Sequence, residues 1–378
     1  MINVFEPSVG AAELSLIKEA IESKWLGKGK FVSQFEEMFA LHLGVSKKHL
    51  TTTTCATEAL FRAAELYKFN SGDEVVAPSI SFVAAGSSVI KSGAHLRICD
   101  VDPHTLNTDI NKILSVITPR TKAIIINHYG GIPTEMNDII EFCQKNDIKV
   151  IEDAACAIDA TYYGVPCGTM GDMGLWSFDS MKTITTGDGG LIFLRNPEEM
   201  ETLKETLYLG TPARSKSGMD NMESGAERWW EYEIRRPGHR AIMNNIAGAI
   251  GVAQMQRFDK LLERRREIVK RYDEGLSGID RLRLKPKDTS HIKSSPYLYW
   301  VQCDERDKLA KYLLTQSIYC TFRYYPLHKI KLFTEGVHDL PGAESAAART
   351  LNIPLHASLS DDDVQVVIDS IRSFFRNF

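Results

Sequence analysis

The chain has 378 residues, enough for one large core and a smaller second unit. It is 43% hydrophobic and 25% charged, the composition of a globular protein rather than a disordered one. With 45 Lys and Arg against 49 Asp and Glu, the net charge of -4 argues against a nucleic-acid partner.

The N-terminus, MINVFEPSVGAAELSLIKEA, has no basic stretch followed by an apolar one, which points to a cytoplasmic protein. No apolar run approaches the roughly 18 residues of a membrane helix, so no membrane association is expected. Leu14, Ile17, Ala20 and Ile21 recur at helical spacing, as do Phe31, Phe35 and Phe39. A glycine-punctuated loop, Trp25 to Gly29, separates the two stretches.

A long alternation follows. The apolar runs VVAPSI (75–80), HLRIC (95–99), KAIIIN (122–127), KVIEDA (149–154), LWSF (175–178) and GLIFL (190–194) are mostly separated by helix-like stretches. That pattern predicts an α/β fold, a mostly parallel mixed sheet flanked by helices. The last two runs are joined by too short a loop for a crossover helix, so one strand there is expected to be antiparallel. Beyond about residue 255 the pattern changes. A charged helix-like stretch (259–276) leads to PYLYWVQC, a helix near 305–316, a strand near 318–325 and a last helix after Leu359. The expected division is 1–254, a large domain, and 255–378, a small C-terminal α+β domain. The N-terminal segment packs on one or the other. The seven cysteines are scattered and never in a CxxC pair, which fits reduced thiols and no metal site.

Chemistry concentrates in a few places. Lys182 follows a strand, LWSF, and precedes a glycine-rich turn, TTGDGG. A lysine that must form a Schiff base needs such a position, where its pKa can fall; the alternative is a surface lysine in a loop. Asp153 ends an apolar strand, where open α/β sheets place ligands, and could pair with a protonated pyridine nitrogen or cap a helix. The two together, about thirty residues apart, suit pyridoxal phosphate better than either does alone. Thr54 to Leu60 opens an apolar helix whose free amides suit a phosphate, or are simply capped. Phe82 could stack on a flat ring or belong to the core.

In order along the chain, the blocks GDEVVAPSISFVAAGSSVIKSGA, DVDPHTLNTD, ITPRTKAIIINHYGG, VIEDAACAIDATYYG, GDMGLWSFDSMKTITTGDGG, MNNIAGAIGVAQM, RYYPLH and LNIPLHASLSDDDV resemble the DegT/StrS-type sugar aminotransferases over almost the whole sequence. The resemblance implies a fold-type I enzyme and a homodimer with shared active sites. It implies pyridoxal 5'-phosphate bonded to Lys182, its ring nitrogen on Asp153 and its ring under Phe82. Ala56, Thr57 and Ser177 match positions around the phosphate, and His328 falls in a segment brought towards the substrate. The chain departs from the family at Ala56, where glycine is usual, and at Cys156, where a polar residue touches the ring hydroxyl or substrate. It departs again at Arg240, where an asparagine reaches the partner's phosphate. Arg240 is the candidate for the cofactor phosphate, and Trp25, Lys28, Gly29 and the remaining arginines of 228–240 are candidates to face the nucleotide. The implied reaction is amination of a nucleotide-linked keto-sugar by glutamate, in amino-sugar biosynthesis of the lipopolysaccharide or O-antigen kind. TTGDGG points weakly to sugar carbon four. A cyclitol (inosose) aminotransferase and a non-catalytic regulator on the same fold are the alternatives. Lys182 speaks against the family's dehydratases, which carry histidine there.

Overall fold

The computed structural model describes residues 1–212, 227–228, 230–231, 233–334 and 339–377. The short β-rich runs become strands β1 (Leu50–Thr53), β2 (Glu74–Pro78), β3 (His95–Cys99), β4 (Thr121–Asn127), β5 (Lys149–Asp153), β6 (Thr161–Tyr162), β7 (Val165–Pro166), β8 (Met173–Ser177) and β9 (Gly190–Leu194). Among the described residues, seven of them form one sheet in the order β1-β9-β8-β5-β4-β2-β3. Pairings are parallel from β8 through β5, β4 and β2 to β3. Strand β9 is antiparallel to both β8 and β1, as the short loop before it requires. The threonine run that supplies most of β1 was not expected as a strand; the β-branched Thr51, Thr52 and Thr53 suit one, and with Leu50 they are buried beside β9.

Helices cover both faces of the sheet, as buried parallel strands demand. These are α1 (Ala11–Glu22), α2 (Lys30–Leu43), α3 (Ala56–Leu66), α4 (Val83–Lys91), α5 (Ile110–Leu114), α6 (Asn137–Lys145), α7 (Pro197–Leu207) and α8 (Asn245–Gln256). On one face α2 buries Phe31, Phe35 and Phe39, the expected stripe. Phe39 meets Trp176 and Phe178 edge-on, both at 5.4 Å between ring centroids, which anchors the end of β8 and the loop that follows. Helix α1 forms as expected, but Leu14 and Ile21 face outward. The helix is turned by Glu13, which is buried against Gln254 Nε2 at 2.8 Å and Arg257 Nε at 3.4 Å.

Helix α9 (Phe258–Gly275) begins in the core of the large sheet, through Phe258, Leu261 and Leu262. It ends, through Ile268 and Tyr272, in a second core. That core belongs to β10 (Arg283–Leu284), β12 (Tyr299–Gln302) and β13 (Thr350–Ile353), an antiparallel sheet in the order β10-β12-β13. Strand β11 (Ile292–Lys293) instead pairs with β6, in a separate three-stranded sheet β11-β6-β7 that ties the C-terminal part to the connection between β5 and β8. Helices α10 (Arg306–Thr315), α11 (Pro341–Arg349) and α12 (Asp361–Asn377) complete this part. The strand expected near 318–325 is absent. Only single bridges, Ile2 to Ile318 and Thr321 to Asn352, mark that stretch, because Arg323 gives its N–H to the Asn352 side chain instead of to a neighbouring strand. Residues 2–4 dock here, through Ile2–Ile318 and the Leu355 N–H on the Val4 carbonyl. Helices α1 and α2 lie on α8, so the N-terminal segment touches both parts.

Candidate active site

The C-terminal ends of the parallel strands open onto a cavity of about 310 Å³. Ala56, Thr57, Phe82, Asp153, Cys156, Ser177 and Lys182, scattered over some 130 positions of sequence, all line it. Each arrives by a local device.

Asp153 is the last residue of β5 and is buried. Its Oδ1 accepts the Ala155 N–H at 3.1 Å, the only hydrogen bond to this carboxyl among the described residues. Burial raises its pKa, against the pull of the Ala155 N–H, Lys182 and His128. The preceding Glu152 faces the other way and is fully buried. It accepts the N–H groups of Gly168 (2.8 Å), Met170 (2.7 Å) and Gly171 (2.6 Å) and meets His128 Nε2 at 3.0 Å. The Thr134 N–H donates to His128 Nδ1 at 3.1 Å, so Nε2 carries the proton that points to Glu152.

Helix α3 starts against the cavity. Cys55 is its N-cap, the sulfur accepting the Glu58 N–H at 3.4 Å. Ala56 and Thr57 occupy the first turn, whose N–H groups have no partner within the helix. Gly190 lets β9 pass directly beneath: a Cβ there would lie 2.7 Å from the Ala56 nitrogen. Only glycine fits, which accounts for the end of the TTGDGG turn. Phe82 caps α4 and is 42% exposed, so it is a wall residue rather than core. It meets the Tyr324 ring edge-on at 5.6 Å.

Lys182 sits in the loop from β8 to β9. The Lys182 N–H bonds to the Asp179 carbonyl at 3.0 Å, and the Thr186 N–H to Phe178 at 2.9 Å. The amine lies 3.5 Å from Cys156 Sγ and 4.7 Å from the centre of the Tyr297 ring. Burial pushes its pKa down, but Cys156, Tyr297, Tyr324 and Asp153 together raise it well above the usual lysine value. The expected fall of this pKa is not seen in the chain alone, where the thiol, the two phenols and the Asp153 carboxyl around the amine oppose desolvation. Burial itself raises the Cys156 and Tyr297 pKa values, and Lys182 opposes both shifts.

Other expected residues lie elsewhere. Lys28 reaches away to Glu36 Oε1 at 2.8 Å and Thr51 Oγ1 at 3.2 Å. Trp25 donates its indole N–H to the Lys28 carbonyl at 2.9 Å. Gly29 precedes α2, where a Cβ would come 2.8 Å from the Trp25 ring. His328 bridges Ser79 Oγ (2.6 Å) and Glu344 Oε1 (2.9 Å). Arg240 is exposed, its guanidinium 5.8 Å from the centre of the Tyr208 ring. Arg235 and Arg236 both pair with Glu205, and Arg228 with Glu231. Trp229 and Tyr232 of the same aromatic, arginine-rich stretch lie outside the described residues.

The cavity also has walls the sequence reading missed: Asn127, Asp179, Met181, Asp188, Arg323 and Tyr324. Asn127 could have been found, as a polar residue closing an apolar strand. Arg323 and Tyr324 lie in the RYYPLH block, but in irregular chain whose path only packing determines.

The arrangement fits pyridoxal phosphate. A buried carboxyl with one donor suits a pyridine N–H, the α3 amides suit a phosphate, and the lysine amine reaches the space between. Among the described residues no cluster of His, Cys, Asp or Glu could hold a metal ion, and no helix is long and apolar enough to cross a membrane. All seven cysteines are free thiols.

Comparison with known proteins points the same way. The model of the DegT/DnrJ/EryC1/StrS aminotransferase family matches residues 7–372. The chain is 40% identical over 374 residues to the dTDP-4-dehydro-2,3,6-trideoxy-D-glucose 4-aminotransferase of Saccharopolyspora spinosa, covering 98% of this chain and 96% of that protein. The aminotransferase TlmJ of Streptoalloteichus hindustanus superposes with a TM-score of 0.93 at 43% identity, over 100% of this chain and 99% of that one. A Streptococcus pneumoniae protein in its PLP form superposes with a TM-score of 0.88 at 25% identity, over 99% of this chain and 98% of that one.

Proposed function

We infer the reaction from one premise: the chain belongs to the DegT/DnrJ/EryC1/StrS aminotransferase family, has the fold-type I architecture and is a sugar aminotransferase. The finer reading is a pyridoxal-phosphate enzyme that moves the amino group of glutamate onto carbon four of a nucleotide-linked keto-sugar. One observation carries it. Lys182, Asp153, Phe82 and the first turn of α3 come from four separate segments and meet around one cavity. The named activity of the Saccharopolyspora spinosa relative supports carbon four.

Bound there, the cofactor supplies an electron sink for a carbon next to nitrogen. Asp153 then holds the proton on the ring nitrogen, and its burial strengthens that pairing. The α3 amides bind the phosphate, Phe82 covers one ring face, and Ser177 offers a hydroxyl beside the phosphate. Lys182 would take the proton from the substrate carbon as base and give it back as acid. Cys156 Sγ lies 3.5 Å from that amine.

The active assembly in this reading is a homodimer. Arg240 is exposed and outside its own chain's cavity, and its guanidinium, over the Tyr208 ring at 5.8 Å, would meet the cofactor phosphate of a partner.

The test is a panel. The glutamate-treated enzyme is offered dTDP- and GDP-linked 4-keto-sugars, a 3-keto-sugar and an inosose, and products are read by NMR. A new amine at carbon four is expected. Amination only of the 3-keto-sugar or the inosose would overturn the reading.

A further inference from the structure

An aminotransferase passes two unlike substrates through one cavity. The amino donor carries a carboxylate on the carbon that bears its nitrogen; the keto-sugar has none at its reacting carbon. A residue that serves the first substrate alone should be a cation close to the lysine and free of internal partners.

Arg323 has these properties. It and Lys182 are the cationic side chains that line the cavity among the described residues. The carboxylates lining it are Asp153, Asp179 and Asp188, and none pairs with Arg323, which has no ion pair among the described residues. Its Nη2 touches only the sulfur of Met181, at 3.1 Å, a weak acceptor that leaves the other donors of the fork available. Met181 is the residue before Lys182. The guanidinium is also held in place. It lies 4.6 Å from the centre of the Phe5 ring, and Phe5 stacks on Tyr297 at 5.9 Å. Tyr297 in turn carries the Lys182 amine over its face at 4.7 Å. Lysine and arginine thus stand on one aromatic pair. The Arg323 backbone is fixed from behind, its N–H on Asn352 Oδ1 at 2.8 Å and its carbonyl accepting the Tyr129 hydroxyl.

We propose that Arg323 binds the α-carboxylate of the amino donor and so acts in one half-reaction only. The proposal rests on the aminotransferase reading above. The anion of the sugar substrate, its diphosphate, could also attract a guanidinium. The position beside Met181, the residue before Lys182, favours an anion attached directly to the reacting carbon. A planar fork suits a carboxylate in two parallel hydrogen bonds, which lysine cannot reproduce.

The experiment separates the two half-reactions in the holoenzyme. Conversion of the aldehyde form by glutamate is followed by absorbance, and reaction of the amine form with the keto-sugar is followed separately. In Arg323→Gln the glutamate arm should lose about 100-fold in kcat/KM, the size expected for a charge-assisted pair. The sugar arm should be unchanged, and Arg323→Lys should recover only part of the loss. Calorimetric affinity for 2-methylglutamate, which has the carboxylate but no α-hydrogen to lose, should fall in parallel. Wild type should prefer glutamate to 4-aminobutyrate, and the Gln variant should lose that preference; a melting curve checks that the variant is folded. Loss confined to the sugar arm would assign Arg323 to the diphosphate and overturn the proposal. Equal loss in both arms would make it structural and overturn it too. A wild-type holoenzyme that no amino acid converts would overturn the underlying reading, and this proposal with it.

Discussion

At the end of β5 the chain buries two carboxylates in succession, Glu152 at 0% and Asp153 at 5% exposure, on opposite faces of the strand. Glu152 has four donors, three backbone N–H groups and His128. Asp153 has one, and a cavity in front of it. Burial costs both of them hydration. Glu152 recovers it within the chain and so fastens 168–171 to the sheet. Asp153 does not, and its raised pKa records the deficit. A buried acid with its acceptor sites filled is part of the scaffold, while one left short faces the place where a cation belongs.

Three experiments press on this contrast, the largest effect first. Asp153→Asn should lower turnover about 100- to 1000-fold, roughly 2.7 to 4 kcal/mol of barrier, with little change in melting temperature. Turnover within about tenfold of wild type, about 1.4 kcal/mol, would mean that Asp153 has been given the wrong role. Glu152→Gln should do the reverse. One acceptor oxygen becomes an NH₂ facing backbone donors, and stability should fall by about 3 kcal/mol in denaturant titration. The folded fraction should keep its specific activity. If Glu152→Gln were fully stable yet inactive, the division between scaffold and site would collapse. The smallest effect concerns Arg240, which stands outside its own cavity as Asp153 stands inside. Inactive Lys182→Ala and weakened Arg240→Ala subunits, once exchanged, should regain activity, up to half of the sites in each mixed dimer. Exchange without recovery would remove Arg240 from the partner's site.

The parts of the molecule legible in the sequence are those with short-range causes. The six apolar runs, the antiparallel β9 and the Phe31–Phe35–Phe39 stripe follow from periodicity and loop length. The cavity residues Asp153, Lys182 and Thr57 sit at strand ends or a helix start, where local sequence shows the change of element. Illegible were features that two distant segments make together. Glu36 pairs with the half-buried Lys28, and nothing near Lys28 signals a buried acid. Ser79 and Glu344 hold His328, 249 and 16 residues away. Glu13 turns α1 so that Leu14 and Ile21 face outward while Ala20 stays buried. Arg323 follows no periodicity, because Asn352 and Phe5 set its position.

The central claim is that Lys182 is the amine that bonds the cofactor, and borohydride tests it most directly. Reduction of the holoenzyme should fix the pyridoxyl group covalently, and peptide mapping should find that mass on the peptide containing Lys182. Lys182→Ala should bind cofactor weakly and take up no label. A label on any other lysine, or one that persists in Lys182→Ala, would contradict the account.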